Sequence, residues 1–191
     1  MSCPNKSSSV LAGFTIDPAL DARIALLAEK LLGRGWLCAT AESCTGGLVG
    51  ASLTAVSGSS AWFVGGVISY ANDVKTGLLG VDAAVLAANG AVSKPVVRQM
   101  AAGVCRLTGA RAAMAISGVA GPGGGTALKP VGTVWFGWAV DGVVTARKVW
   151  IPATRPVIRH IAVGIAVNGL LDALELRAAP AAGGNPLLFH R

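Results

Sequence analysis

Ser43 carries the strongest case for a nucleophile in this chain. It stands in Glu42-Ser43-Cys44-Thr45, directly ahead of Gly46-Gly47, and a hydroxyl beside free backbone N–H groups at a helix start can attack a carbonyl whose developing oxyanion those groups hold. A serine needs a base. Lys75, just after the Tyr70-Ala71-Asn72-Asp73 stretch, can serve if desolvation leaves it neutral, and no charged residue lies between Cys44 and Asn72 to oppose that. The same residues also have plainer readings, Ser43 as a helix cap and Lys75 as a solvated charge. Cys44 competes as nucleophile, because a thiolate near a helix N-terminus has a lowered pKa and Cys with Lys75 and an acid (Glu42 or Asp73) can hydrolyse an amide. It fits equally as a small, buried, inert side chain.

Other chemistries are poorly supplied. The two histidines are His160, inside a predicted helix, and His190, near the chain end, which leaves no Ser-His-Asp arrangement. The 9 acids fall mostly at predicted helix ends, where capping and dipole roles account for them. Cys3, Cys38, Cys44 and Cys105 form no C-x-x-C pair and have no histidine at metal-clip spacing, so neither a metal site nor a cofactor is expected. A second glycine-rich loop follows Ser117 and includes Gly118, Gly121, Gly123 and Gly124. It lacks the Gly-Lys-Ser/Thr ending of a P-loop and the spacing of a dinucleotide fingerprint. Its amides can form an anion nest with Ser117 as a donor, or its glycines can simply permit a tight crossover before Lys129-Pro130.

These residues need elements to hold them. Asp17-Pro18 reads as an N-cap and first helical residue, after which Leu20, Ile24, Leu27 and Leu31 share one face up to Gly33. Strands are expected at 36–40, 62–69 and 112–117, a helix at 46–56, shorter helical pieces within 71–79 and at 83–88, and a helix from Ser93-Lys94-Pro95 to about Leu107. Asp141-Gly142 between the apolar runs 134–140 and 143–149 predicts an antiparallel hairpin, and 155–176 predicts a closing helix. Helices alternating with strands imply an α/β protein with layers of helix on a mixed sheet. The domain is expected over 17–177, between a disordered tail at 1–16 and a flexible tail at 178–191.

Composition narrows the class. The chain has 191 residues, 53% of them hydrophobic and 13% charged, about half the charge of an average soluble domain, which excludes general disorder and allows a large core. The net charge of +7 is scattered, with no basic run interleaved with aromatics, so a small anionic ligand rather than nucleic acid is expected. The charge-free stretch 44–72 is long enough to span a bilayer, but its six glycines and Ser57-Gly-Ser-Ser60 would break a lipid-exposed helix. The run 161–174 is interrupted by Asn168 and Asp172. With no apolar leader at the N-terminus, a cytoplasmic protein with no membrane partner and reduced thiols is expected. Apolar residues beyond the needs of one core suggest a homodimer or higher homo-oligomer.

Several ordered motifs together resemble a known family. They are Ala41-Glu-Ser-Cys-Thr-Gly-Gly47, Gly58-Ser-Ser-Ala-Trp-Phe63, Gly65-Gly-Val-Ile-Ser-Tyr70 with Lys75, Gly90-Ala-Val-Ser93, and Ser117-Gly-Val-Ala-Gly-Pro-Gly-Gly-Gly125 with Lys129-Pro-Val-Gly-Thr133. The set is similar to the carboxy-terminal domain family of the competence/damage-inducible protein CinA, over about residues 18–176. The resemblance implies a three-layer α/β/α sandwich with a mixed, mostly parallel sheet, and a nicotinamide-nucleotide amidase of the PncC type. Such an enzyme converts nicotinamide mononucleotide to nicotinate mononucleotide and ammonia. It further implies Ser43 as nucleophile, Lys75 as base and Tyr70 as an accessory hydrogen-bonding group. Cys44, Thr45, Gly46, Gly47, Ser117, Gly118, Gly121, Gly123, Gly124 and Arg155 would line the substrate site. Three positions depart from the family pattern: Lys94 stands where an acid is usual, Ala153-Thr154-Arg155 replaces Gly-Asp-Arg, and Ser117 replaces threonine. A rival reading is a non-catalytic nucleotide-binding module linked to competence or DNA damage.

Overall fold

The computed structural model describes residues 18–178. The expected tail at 1–16, the Asp17 cap and all of the expected tail at 178–191 except Ala178 lie outside the described residues, and Ala178 ends the last helix rather than opening a tail. Helix α1, Pro18–Leu32, buries Ile24, Leu27, Ala28 and Leu31 along the predicted stripe. The chain then enters β1, Cys38–Glu42, whose five positions are all buried because it is an interior strand. This strand begins two residues later than the sequence pattern suggests. Trp36 stays outside it, with the Arg111 guanidinium 4.4 Å from its ring centroid.

Helix α2, Leu48–Ala55, is followed by a single 3-10 turn, Ser59–Ala61, and strand β2, Phe63–Ile68. Three helices come next: α3, Asn72–Gly77; α4, Ala83–Asn89; and α5, Lys94–Thr108. Asp82 caps α4 by accepting from the Ala84 and Val85 N–H groups. Strands β3, Ala112–Gly118, β4, Thr133–Val140, and β5, Val143–Trp150, precede the long helix α6, Arg155–Ala178. Asp141 and Gly142 both have positive φ, +49° and +81°, the geometry an Asp-Gly hairpin turn requires.

The five strands lie in the order β2-β1-β3-β4-β5. β1 pairs parallel with β2 and β3, and β4 pairs antiparallel with β3 and β5. The sheet is therefore mixed as expected but evenly so rather than mostly parallel, because the two antiparallel pairings of β4, with β3 and β5, match the two parallel pairings of β1. Its two faces differ in kind. Helices α1, α2 and α6 cover the face that presents Cys38, Met114, Ile116, Phe136 and Trp138. Helices α4 and α5 cover the face that presents Ala39, Ala41, Ala113, Ala115 and Ala139. The small residues let α5 approach closely: a Cβ on Gly137 would come within 2.6 Å of the Val97 carbonyl oxygen. Helix α6 is long and apolar enough to cross a membrane by length and composition; here one side of it packs on α1, α2, β3 and β4.

Candidate active site

Three parallel strands end together. Ser43 follows the last residue of β1, Ser69-Tyr70 follows β2, and Ser117-Gly118 closes β3. Backbone bonds tie the ends to one another, Ser43 N–H to Ile116 O at 2.9 Å and Ser69 N–H to Glu42 O at 2.7 Å. The carboxyl ends of parallel strands are where open α/β sheets place ligands.

Helix α3 returns Lys75 beneath this edge. Its side chain is 1% exposed, and Nζ lies 3.2 Å from Ser43 Oγ, 2.5 Å from Ser69 O and 3.2 Å from Tyr70 O. The two carbonyls can only accept. Each therefore takes one N–H of the amine, and the remaining position on Nζ faces the Ser43 hydroxyl. In the neutral amine that position is the lone pair. Burial lowers the Lys75 pKa from the ordinary lysine value, against a smaller opposing effect of Cys44.

The turn between β1 and α2 differs from the expectation of a helix starting at Gly46. Gly46 and Gly47 have φ of +58° and +95°, left-handed conformations open to glycine, and the helix begins only at Leu48. Their amides are also engaged within the protein. Gly46 N–H donates to Ser43 O, and Gly47 N–H donates to the Glu42 carboxylate. Glu42, 2% exposed, further accepts from Val49 and Gly50 N–H at 3.1 and 2.9 Å. It is the cap of α2, occupied on both oxygens, rather than an acid paired with Cys44. The amides left at the corner are those of Thr45, with no protein acceptor among the described residues, and Cys44, which meets only its own sulfur. The buried Thr45 hydroxyl likewise has no partner among them.

Cys44 itself faces inward. Its sulfur packs where a Cβ on Gly118 would lie 3.1 Å away, and burial pushes the thiol up to about 11, with Arg159 and Arg155 pulling weakly the other way. At neutral pH it is a thiol, a poor nucleophile.

The remaining predicted residues divide into two groups. Arg155 donates to Gly121 O at 2.9 Å and to the Tyr70 hydroxyl at 3.4 Å, so the Tyr70 side chain, 62% exposed, stands at the mouth of the site while its carbonyl holds Lys75. Ser117 Oγ donates to Ala91 O, and Lys129 Nζ donates to Asn89 O, so both fasten this side of the site to the α4–α5 connection. Gly123 and Gly124 are exposed and make no described hydrogen bond to the Ser43–Lys75 pair. Lys94 sits with Pro95, Arg98 and Gln99 on a surface groove at the start of α5. Among the described residues no group of three His, Cys, Asp or Glu side chains could hold a metal ion.

Sequence reasoning missed three contributors. Glu42 as a cap was discoverable, since an acid a few residues before a helix start is a capping signal. The Ser69 carbonyl carries no side-chain signature. Arg159, which donates to the Cys44 and Thr45 carbonyls from α6, is too distant along the chain for any local pattern to reveal.

Fold and corner together define a three-layer α/β protein with a serine beside a buried lysine where parallel strands end. The chain belongs to the CinA C-terminal domain family, whose sequence model matches residues 21–174. It is 51% identical to a CinA-like protein of Mycolicibacterium gilvum over 85% of this chain and 38% of that protein. It is 49% identical to the nicotinamide-nucleotide amidohydrolase PncC of Enterobacter agglomerans over 70% of this chain and 82% of that one. The solved competence/damage inducible protein CihA of Agrobacterium tumefaciens superposes with a TM-score of 0.80 at 36% identity, covering 85% of this chain and 99% of that one. The chain spans under two-fifths of the length of the CinA-like relatives it matches.

Proposed function

We propose that the chain is a cytoplasmic amidohydrolase that releases ammonia from the carboxamide of nicotinamide mononucleotide, in the recycling of pyridine nucleotides. The observation that carries this reading is the Ser43–Lys75 contact of 3.2 Å with the amine buried and two carbonyls taking its N–H groups. The relative named nicotinamide-nucleotide amidohydrolase supports the substrate.

In this mechanism neutral Lys75 takes the hydroxyl proton as Ser43 Oγ bonds to the carboxamide carbon. The carbonyl electron pair moves to oxygen, beside the Cys44 and Thr45 N–H groups. Collapse of the tetrahedral species breaks the C–N bond, and the Lys75 ammonium returns the proton to the departing nitrogen. Water then gives a proton to Lys75 and attacks the acyl carbon, and as the acyl–Oγ bond breaks the Lys75 ammonium returns that proton to Ser43 Oγ, freeing the carboxylate and restoring the neutral amine. Arg155, beside the Tyr70 hydroxyl at the mouth, supplies positive charge suited to a nucleotide phosphate.

The test is ammonia release from nicotinamide mononucleotide by the purified chain beside Ser43→Ala and Cys44→Ala. Wild type and Cys44→Ala should release ammonia, and Ser43→Ala should lose at least a hundredfold in rate. Binding without ammonia release would replace this reading with a nucleotide-binding module. An active Ser43→Ala with a dead Cys44→Ala would move the nucleophile to the thiol.

A further inference from the structure

We propose that Arg159 is a positioning residue for the oxyanion site, acting through the backbone of the 43–46 turn. The inference rests on the amidase reading and concerns how this chain holds its donors in place.

The guanidinium of Arg159 forks over two successive carbonyls. Nε donates to Cys44 O at 3.1 Å and Nη2 donates to Thr45 O at 2.8 Å. In a planar trans peptide the carbonyl and the N–H point in opposite directions. Holding Cys44 O toward α6 therefore turns the Thr45 N–H away from α6, and holding Thr45 O likewise fixes the Gly46 N–H, which donates to Ser43 O. Glu42 works from the other side by taking the Gly47, Val49 and Gly50 N–H groups. A cation on the Cys44 and Thr45 carbonyls and an anion on the Gly47, Val49 and Gly50 amides thus hold the corner from both sides, and the Thr45 N–H is left facing away from α6 with no protein acceptor among the described residues.

The corner is built around this clamp. Gly46 is left-handed, and a Cβ there would lie 3.5 Å from Arg159 Nη2. Arg155, one turn earlier on α6, points elsewhere, to Gly121 O and the Tyr70 hydroxyl. The first turns of α6 therefore hold two arginines with different work, Arg155 at the mouth and Arg159 at the turn. A lysine would not substitute for Arg159, since a single ammonium cannot present the planar fork that meets both carbonyls.

A phosphate contact is the competing role for Arg159, and a neutral substrate separates the two. p-Nitrophenyl acetate has no phosphate. Its reaction forms the Ser43 Oγ–acyl bond, breaks the aryl ester C–O bond, passes the serine proton to Lys75 and expels nitrophenolate. The assay is the nitrophenolate burst, with mass spectrometry placing the acetyl group on Ser43, in the full chain and its Arg159→Ala and Arg159→Lys variants.

The expected result is a slowing of acetylation by roughly a hundredfold in Arg159→Ala, the scale of a lost oxyanion donor. The loss should be nearly as large in Arg159→Lys, the pH limb set by Lys75 should not move, and added guanidinium should partly rescue Arg159→Ala alone. Should Arg159→Ala fail to fold, Arg159→Lys carries the test. Wild-type acetylation rates in either variant would overturn the proposal, and if KM for nicotinamide mononucleotide alone rose, Arg159 would be a phosphate ligand. A wild type that cannot be acetylated at Ser43 would also overturn it. The ester result decides the role of Arg159 whether or not the nucleotide is hydrolysed, so failure of the substrate assignment is read separately.

Discussion

Replacing Glu42 by glutamine should destabilise the fold by about 3 kcal/mol. The carboxylate accepts three backbone bonds, two on Oε2 from Gly47 and Val49 and one on Oε1 from Gly50. A glutamine in the same place keeps one acceptor. Its best orientation puts the amide oxygen at the Oε2 position, which retains two bonds and sets an NH2 against the Gly50 N–H. The lost bond to a charged acceptor is worth about 1.5–3 kcal/mol, and the two retained bonds fall to about half their strength once the charge is gone. Favourable interaction of the anion with the α2 dipole disappears as well, a further ~0.5 kcal/mol or so at a helix this short. Relaxation of the exposed side of the turn recovers part of the sum, which sets the central figure. For a domain of this size it corresponds to a fall in Tm of about 6–12 °C. Urea unfolding followed by circular dichroism gives the free energy and a thermal melt gives the Tm, with the burst at Ser43 measured in parallel. A loss below about 0.5 kcal/mol, the ordinary range for an exposed substitution, would show that the three bonds do not hold the corner and would remove the anion half of the argument for Arg159.

Two other predictions are more direct. Lys75→Met should fold and lose at least a hundredfold in acylation rate, the lower end for a general base. In wild type the rate should climb with pH on a limb centred below the ordinary lysine value of 10.5, because burial lowers the Lys75 pKa and the neutral amine is the active form. The same shift fixes the sign for stability. Between the folded pKa and 10.5 the unfolded chain binds the extra proton, so stability rises with pH across that window, and the slope should vanish in Lys75→Met. An activity limb at or above 10.5 would refute the neutral-amine mechanism. Glycine replacements should split by position: Gly164→Ala on α6, with open space at its Cβ, should stabilise by about 0.5–1 kcal/mol. Gly103→Ala on α5, whose Cβ would run into the Leu79 carbonyl, should destabilise by about 1–3 kcal/mol. Equal signs in thermal melts would mean that α5 has room the packing denies it.

The helices and the hairpin were legible in the sequence because their signals are local. The stripe of Ile24, Leu27 and Leu31, the Pro18 start and the Asp141-Gly142 turn each act within a few residues. The Ser43–Lys75 pairing was legible as chemistry but not as geometry, since nothing in the spacing tells which atoms just after β2 would hold the amine. It is the carbonyls of Ser69 and Tyr70, invisible to side-chain pattern, that direct it. The misread of Gly46-Gly47 as a helix start has a physical source. Two glycines before an apolar run are compatible with either a helix start or a left-handed corner, and the choice is made by Glu42 and Arg159, one adjacent and one on the last helix.

The abundance of glycine, which the motifs connect to a pocket, turns out to serve two separate ends. At Gly46 and Gly47 it supplies a positive φ and reverses the chain beside Ser43. At Gly103, Gly137 and Gly169 the φ is unexceptional, and the missing Cβ makes room for the Leu79 carbonyl, the Val97 carbonyl and the Trp138 ring. Gly137 and Gly169 bring α5 and α6 close to the sheet on opposite faces, while Gly103 lets the segment between α3 and α4 lie against α5. That closeness matters at the site, because Arg159 reaches the 43–46 turn only if α6 lies near the end of β1, and Trp138 Nε1 bonds Ala166 O on the same helix. Widening α6 from the sheet by filling the space at Gly169 would therefore act on the Ser43 corner at a distance. Gly169→Ala should lower the acylation rate together with stability, whereas a glycine that served only the pocket would lower the rate alone.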